Sequence, residues 1–184
     1  MTAFRYVPIE ALTIAVLVGL LAAVGAALPA LRRGETTAAA LIVARVLLGG
    51  SVLAVLAVTM MSGAGGTGLN LTPGAGIRSA LSNVNRDLAL LNLLGNVVMF
   101  VPVGFLASMA TRLGFRGVVG VCLVLSASVE VLQLTVGRSL DVDDVLLNTL
   151  GGAAGAAAGL ALLATRPRGR RSRRLEEGSV VSQQ

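Results

Sequence analysis

Long apolar runs constrain the fold of this chain more than any other feature. Five runs of more than twenty residues are almost uncharged, at approximately residues 9–31, 38–61, 88–111, 115–136 and 145–165. Each is long enough to cross ~30 Å of hydrocarbon as a helix that rises ~1.5 Å per residue. Charged residues make up only 13% of the chain, against roughly a quarter in soluble domains. The sequence therefore predicts an all-α transmembrane helical bundle over residues 1–165, with about five spans.

The first run has an alternative interpretation as a cleaved signal peptide, which would leave four spans. A signal peptide has a shorter apolar stretch and a basic leading segment, whereas only Arg5 precedes this run and Arg32 and Arg33 follow it. This pattern favours a retained first span.

The arginine distribution predicts the orientation of the bundle. All fifteen basic residues are arginine, and ten of them lie between the first two runs, between the third and fourth, or after the fifth. Because cytoplasmic segments carry an excess of basic residues, we predict an external N-terminus, a cytoplasmic C-terminus and outward-facing loops at 62–87 and 137–144.

Residues 166–184 contain six of these arginines and are predicted to form a disordered, polybasic cytoplasmic tail. Each arginine near an anionic leaflet contributes ~1 kcal/mol, so the expected partner of the tail is anionic lipid. Nucleic acid is not expected, because no folded nucleic-acid-binding module accompanies the basic run.

Polar side chains within the predicted spans gather at one depth. By helical rise, Asn96 on the third span and Glu130 on the fourth lie ~8–9 Å below the outer interface. Polar groups in a membrane must be satisfied away from water and often mark functional sites. We predict an outward-facing pocket formed by Asn96, Glu130, Gln133, Arg138, Asp141, Asp144 and Asn148. Hydrogen bonding between helices, without a ligand, is the alternative.

Two further patterns concern helix packing. Gly151, Gly155 and Gly159 recur every four residues, which places small residues on one helix face and permits close approach of another helix. That helix belongs to the same bundle or, alternatively, to a second copy in a homo-oligomer. Pro102 removes a backbone hydrogen bond within the third span and predicts a kink there.

The composition excludes several kinds of site. The chain has no histidine and one cysteine, which excludes a Ser-His-Asp triad and histidine or multi-cysteine metal centres. We expect neither a metal nor a cofactor.

Three functions fit the predicted pocket. A binding protein would use Arg138 to contact a phosphate or carboxylate. An enzyme would use Glu130 as general acid or base on a lipid-linked substrate, with Asp144 or Asp141 as a second carboxylate. A small transporter is disfavoured because inverted repeats are missing and polar residues do not continue into the cytoplasmic half. The lack of a strong catalytic motif favours binding over catalysis.

Several motifs resemble those of one family. They are Asn70–Pro73, Asn92–Gly104, Glu130–Gln133, Arg138–Asp144 and Asn148–Gly152. Through them, residues from about 70 to 159 resemble the VanZ-like family of bacterial membrane proteins. One departure is Gly74, which stands where family members usually have an aromatic residue.

The resemblance implies a place rather than a mechanism. Its namesake is associated with resistance to teicoplanin, a glycopeptide that binds cell-wall precursors outside the membrane, and most relatives carry no assigned activity. The resemblance thus implies the bacterial cytoplasmic membrane as location, and an envelope lipid or cell-wall precursor as ligand.

Overall fold

The computed structural model describes residues 9–61 and 68–165, which form six helices and one pair of short strands. The helices are α1 (Ile9–Arg32), α2 (Thr36–Met61), α3 (Ala75–Ser82), α4 (Arg86–Ala110), α5 (Phe115–Thr135) and α6 (Val142–Ala164). The strands are β1 (Leu69–Asn70) and β2 (Leu140–Asp141). The all-α prediction is confirmed. The predicted tail at 166–184 lies outside the described residues.

Four of these helices, α2, α4, α5 and α6, are long and apolar enough to cross a membrane. In α1 the apolar segment with described side chains, Val16–Arg32, is shorter, so a fifth span stays a prediction. Large apolar side chains such as Leu21, Leu53 and Val124 are exposed along the helices, as expected of surfaces that contact lipid. The chain is therefore a multi-pass membrane protein.

Helices α4 and α6 make the most extensive contact in the bundle. A Cβ atom added at Gly151 would overlap the carbonyl oxygen of Val97, and one at Gly155 would overlap that of Val101. Gly159 meets the next turn of α4 in the same way. The structure thus places the predicted glycine face against α4 of the same chain. Pro102 lies inside α4, which continues through it, and the predicted kink stays a prediction.

The two predicted outer loops contain more regular structure than the sequence indicated. The 62–87 segment includes β1 and α3, and the 137–144 segment includes β2 and the first turn of α6. The strands pair in parallel, Leu69 with Leu140 and Asn70 with Asp141. Helix α6 begins at Val142 because the Asp141 carboxylate accepts the backbone N–H of Asp143 at 2.9 Å and so acts as the N-cap. The neighbouring residues Asp143 and Asp144 are also acidic, so the sequence alone does not single out Asp141 as the cap.

The predicted orientation can be checked by cysteine labelling. Val84→Cys and Ser139→Cys lie in the two loops predicted to face outward and should react with an impermeant thiol reagent added to intact cells. Leu113→Cys, between α4 and α5, should react only after lysis. The native Cys122 is fully buried and should label poorly in every sample. If Val84→Cys and Ser139→Cys react only after lysis and Leu113→Cys reacts in intact cells, the orientation predicted from the arginine distribution is wrong.

Candidate functional site

A cavity of about 340 Å³ lies where α2, α4, α5 and α6 converge at one end of the bundle. It is lined by Val58, Thr59, Leu91, Asn92, Gly95, Asn96, Val98, Met99, Glu130, Gln133, Arg138, Asp144 and Asn148. Six of the seven predicted pocket residues are therefore in its lining, and Asp141 is not. These six come from α4, α5, α6 and the turn after α5, so the convergence depends on the tertiary fold.

Glu130, Gln133 and Arg138 form a directional series of hydrogen bonds along one wall. In the amide orientation that satisfies both neighbours, the Gln133 nitrogen donates to Glu130 Oε1 at 3.0 Å and its oxygen accepts from Arg138 Nη1 at 3.0 Å. Glu130 Oε2 accepts the backbone N–H of Asp141 at 3.0 Å. Both oxygens of the buried Glu130 carboxylate thus accept hydrogen bonds, as a carboxylate but not an amide does.

Arg138 carries a positive charge that its neighbours do not neutralise directly. Its Nη1 also donates to the backbone carbonyl of Thr59 at 2.6 Å, so both acceptors are uncharged. Within residues 9–61 and 68–165, the one ion pair is Arg33–Glu35. A guanidinium that faces a cavity without a carboxylate in contact is suited to bind an anion.

A second set of polar groups, on α4 and α6, combines a carboxylate with two amides. The Asn96 side-chain amide donates to Asp144 Oδ1. Asn148 Nδ2 donates to Ser126 Oγ at 2.9 Å, and both residues are buried. The other end of that amide, Asn148 Oδ1, is buried with no hydrogen-bond partner among the described residues. A buried acceptor without a partner costs about 1–3 kcal/mol, so this atom calls for a donor from a ligand or water.

Asp141 supports the structure around the cavity and is not part of its lining. Its side chain caps α6 and accepts from Asn70 Nδ2 at 3.0 Å, which ties β2 to β1. Its backbone N–H holds the Glu130 carboxylate. The predicted role of Asp141 as a ligand contact is therefore not supported by its position, because two structural hydrogen bonds occupy its carboxylate.

Asp143 is a buried carboxylate that the sequence analysis did not single out. It is 1% exposed and accepts backbone N–H groups from Gly74 at 2.6 Å, Gly76 at 2.8 Å and Ile77 at 3.3 Å. These are N–H groups at the start of α3, which have no partner within that helix. Asp143 therefore fixes the outer helix α3 to the beginning of α6.

Two more residues at or beside the cavity were not predicted, Thr59 and Ser126. The sequence could have indicated Ser126, because Ser126, Glu130 and Gln133 follow the i, i+4, i+7 spacing of a single helix face. Thr59 accepts from Arg138 through its backbone carbonyl. Every residue has such a carbonyl, so the sequence could not indicate this contact.

Replacement of Asp143 by asparagine is expected to loosen the outer loop. The amide nitrogen would oppose N–H donors, which removes at least one of three hydrogen bonds to a charged group, each contributing ~1.5–3 kcal/mol. We expect faster limited proteolysis between residues 68 and 85 in the folded protein. Asp87→Asn, an exposed change on α4, is the matched control and should behave like the wild type. An unchanged cleavage rate for Asp143→Asn would contradict the anchoring role.

Across the part of the chain that the structure describes, no three His, Cys, Asp or Glu side chains are grouped closely enough to hold a metal ion. The chemistry available at the cavity is thus anion binding by Arg138, hydrogen bonding by amides, and proton exchange or cation binding by Glu130 and Asp144.

Comparison with known proteins identifies one family. A family model described as VanZ/LLP1 matches residues 35–164, which is most of the chain and includes every residue of the cavity. No curated protein and no solved structure matches the chain significantly.

Proposed function

This chain belongs to the VanZ-like family, and from that premise we propose that it binds the polar part of an envelope lipid or cell-wall precursor in the cavity between α2, α4, α5 and α6. The membrane in question is the cytoplasmic membrane of a bacterium, and the cavity faces its outer leaflet. Occupancy of the cavity would change susceptibility to glycopeptides that act on the same precursors.

One observation carries this proposal. Arg138 lines a cavity built from four helices, and among the described residues its hydrogen bonds go only to the neutral oxygens of Thr59 and Gln133. A guanidinium whose hydrogen bonds all go to uncharged oxygens is suited to bind an anion, and a phosphate or carboxylate of the ligand would supply one. The amides of Asn96, Gln133 and Asn148 supply hydrogen-bonding groups for sugar or peptide parts.

Catalysis on the same ligand is the second candidate, because Glu130 and Asp144 both line the cavity. However, Glu130 already accepts from Asp141 and Gln133, and Asp144 from Asn96. These bonds hold the carboxylates in place, and neither carboxylate has a nucleophilic side chain among its hydrogen-bond partners in the described part of the chain, which favours binding.

Lipid co-purification tests the proposal. The full chain and its Arg138→Gln variant are purified in mild detergent, and bound lipids are quantified by mass spectrometry against the bulk membrane extract. We expect one envelope lipid to be enriched with the wild type and reduced about tenfold or more with Arg138→Gln, since a hydrogen bond between charged groups contributes ~1.5–3 kcal/mol.

Arg86→Gln is the control, because Arg86 lies in the same predicted outer region but outside this cavity. It should retain the lipid. A chemically converted lipid in the wild-type sample would favour catalysis instead. Equal lipid content in all three samples would remove the support for binding at Arg138.

A further inference from the structure

The exposed residues of the cavity lining all lie on α4. They are Leu91, Asn92, Gly95 and Val98, whereas the lining residues from α2, α5 and α6 are buried or half-buried. Leu91, Gly95 and Val98 are apolar and follow i, i+4, i+7 spacing, so they share one helix face. A Cβ atom added at Gly95 would have no atom of the described residues within 4 Å. Gly95 therefore leaves a gap in the side-chain wall at the mouth of the cavity.

This mouth lies at membrane depth. Helix α4 begins at Arg86, so Gly95 and Val98 lie ~14 Å and ~18 Å further along the helix by its rise. The hydrocarbon region is ~30 Å thick. For a helix that crosses the membrane, such positions face lipid chains rather than water, and the cavity is open to the bilayer along this face.

The polar groups of the lining differ in hydrogen-bonding character. Arg138 offers a positive charge. Asn148 Oδ1 is a buried acceptor with no partner among the described residues, and Asp144, one helical turn before Asn148, adds a carboxylate to the lining. A ligand that satisfies both kinds of group carries an anionic group and, separately, a hydrogen-bond donor.

We propose that the cavity takes the headgroup of a zwitterionic membrane lipid, with its phosphate at Arg138 and a primary ammonium group at Asn148 Oδ1 and Asp144. The lipid enters sideways, and its chains leave past Leu91, Gly95 and Val98. This inference rests on the proposed function and adds the class of ligand and its route. A zwitterion also suits the charges of the lining, where Glu130 and Asp144 accompany Arg138; a purely anionic headgroup would face both carboxylates.

Matched lipids test the class of ligand. Binding of phosphatidylethanolamine and phosphatidylcholine with identical chains is measured by native mass spectrometry on the delipidated full chain. The two headgroups carry the same charges, but the trimethylated nitrogen of choline has no N–H. We expect phosphatidylethanolamine to bind about tenfold more tightly, or more, as for a lost hydrogen bond to a charged group. Equal binding would overturn the proposed ammonium contact.

The route is tested at the mouth. Gly95→Leu fills the gap and should weaken binding of phosphatidylethanolamine about tenfold or more, while Gly50→Leu, at an exposed glycine on α2 with equally open space, should have no effect. Leu91→Trp narrows the same mouth and provides a second test of the route if Gly95→Leu lowers the thermal stability. Unchanged binding in both mouth variants would overturn lateral entry.

Glycerophosphoethanolamine, which has the same headgroup without chains, separates this inference from the proposed function. We expect it to bind much more weakly than the intact lipid. Binding as tight as that of the lipid would overturn the lipid route and leave a water-borne ligand. If instead Arg138→Gln leaves the binding of every probe unchanged, both this inference and the proposed function are overturned. If binding depends on Arg138 but is unchanged in both mouth variants, the lateral route is overturned and the proposed function is not.

Discussion

Glu130→Gln is expected to abolish the activity of this protein in cells while its membrane abundance stays near normal. Both Glu130 oxygens accept hydrogen bonds, at 3.0 Å from the Asp141 backbone and at 3.0 Å from the Gln133 amide. Glutamine offers one acceptor and one donor. If its oxygen stays on Asp141, Gln133 must turn its own oxygen toward position 130, and its nitrogen then opposes Arg138. The substitution thus removes a charge and disrupts the series that orients Arg138.

The readout is complementation of a strain that lacks the protein, scored as sensitivity to teicoplanin and other envelope-targeting antibiotics. Membrane abundance and thermal stability are measured in parallel. Loss of one hydrogen bond to a charged group predicts a stability change of ~1.5–3 kcal/mol, which is compatible with a folded protein. Full complementation by Glu130→Gln at normal abundance would contradict both the charged pocket and catalysis, and would leave interhelical hydrogen bonding as the account of these residues.

The exchange variant Glu130→Gln with Gln133→Glu separates a structural effect from a functional one. Glutamine at position 130 accepts from Asp141 and donates to a carboxylate at 133, which in turn accepts from Arg138. The hydrogen-bond directions are restored, but the charge moves about one helical turn, or ~4.5 Å along the axis. We expect stability to recover and complementation to remain lost. If stability and complementation both recover, the site requires the hydrogen-bond series that ends at Arg138, and not a carboxylate at position 130.

The sequence predicted the helices and the common depth of the polar residues because both depend on short-range periodicity. The start of the fourth span at Phe115 was placed correctly, and the predicted end lies one residue beyond the end of α5 at Thr135. Helical rise alone puts Asn96, Glu130 and Asn148 at one level. That they also face a common cavity depends on the rotation of three helices, which is set by packing such as that of Gly151 and Gly155 on α4.

The outer framework could not be predicted, because its contacts join distant parts of the chain. Asn70 bonds to Asp141, and Asp143 bonds to the backbone at Gly74. An acidic residue next to a helix start is typical of an N-cap or a favourable charge at the helix dipole, and nothing local indicates that Asp143 instead serves the start of another helix. Helix α3 was missed for the same reason, since its eight residues depend on that distant carboxylate.

Gly155→Ala is expected to destabilise the bundle, although alanine is the better helix former. The added methyl group would overlap the Val101 carbonyl oxygen and lie 2.8 Å from the Phe105 backbone nitrogen. Both are backbone atoms of α4, so relief requires one helix to move. Overpacking of this kind costs ~1–3 kcal/mol, which corresponds to a fall in Tm of ~2–12 °C for a chain of this size. Gly155→Leu should lower the Tm further and reduce the yield in mild detergent.

Gly50→Ala provides the matched control, because a Cβ atom there has no neighbour within 4 Å in the part of the chain that the structure describes. Helix propensity alone acts at that position, and it favours alanine over glycine by ~1 kcal/mol. The same substitution should therefore lower the Tm at position 155 and leave it unchanged or raise it at position 50. A wild-type Tm for both Gly155→Ala and Gly155→Leu would mean that this glycine face does not contact α4. Contact with a second copy, measured as a change in oligomeric state in the Gly155→Leu variant, would then be the better explanation of the spacing.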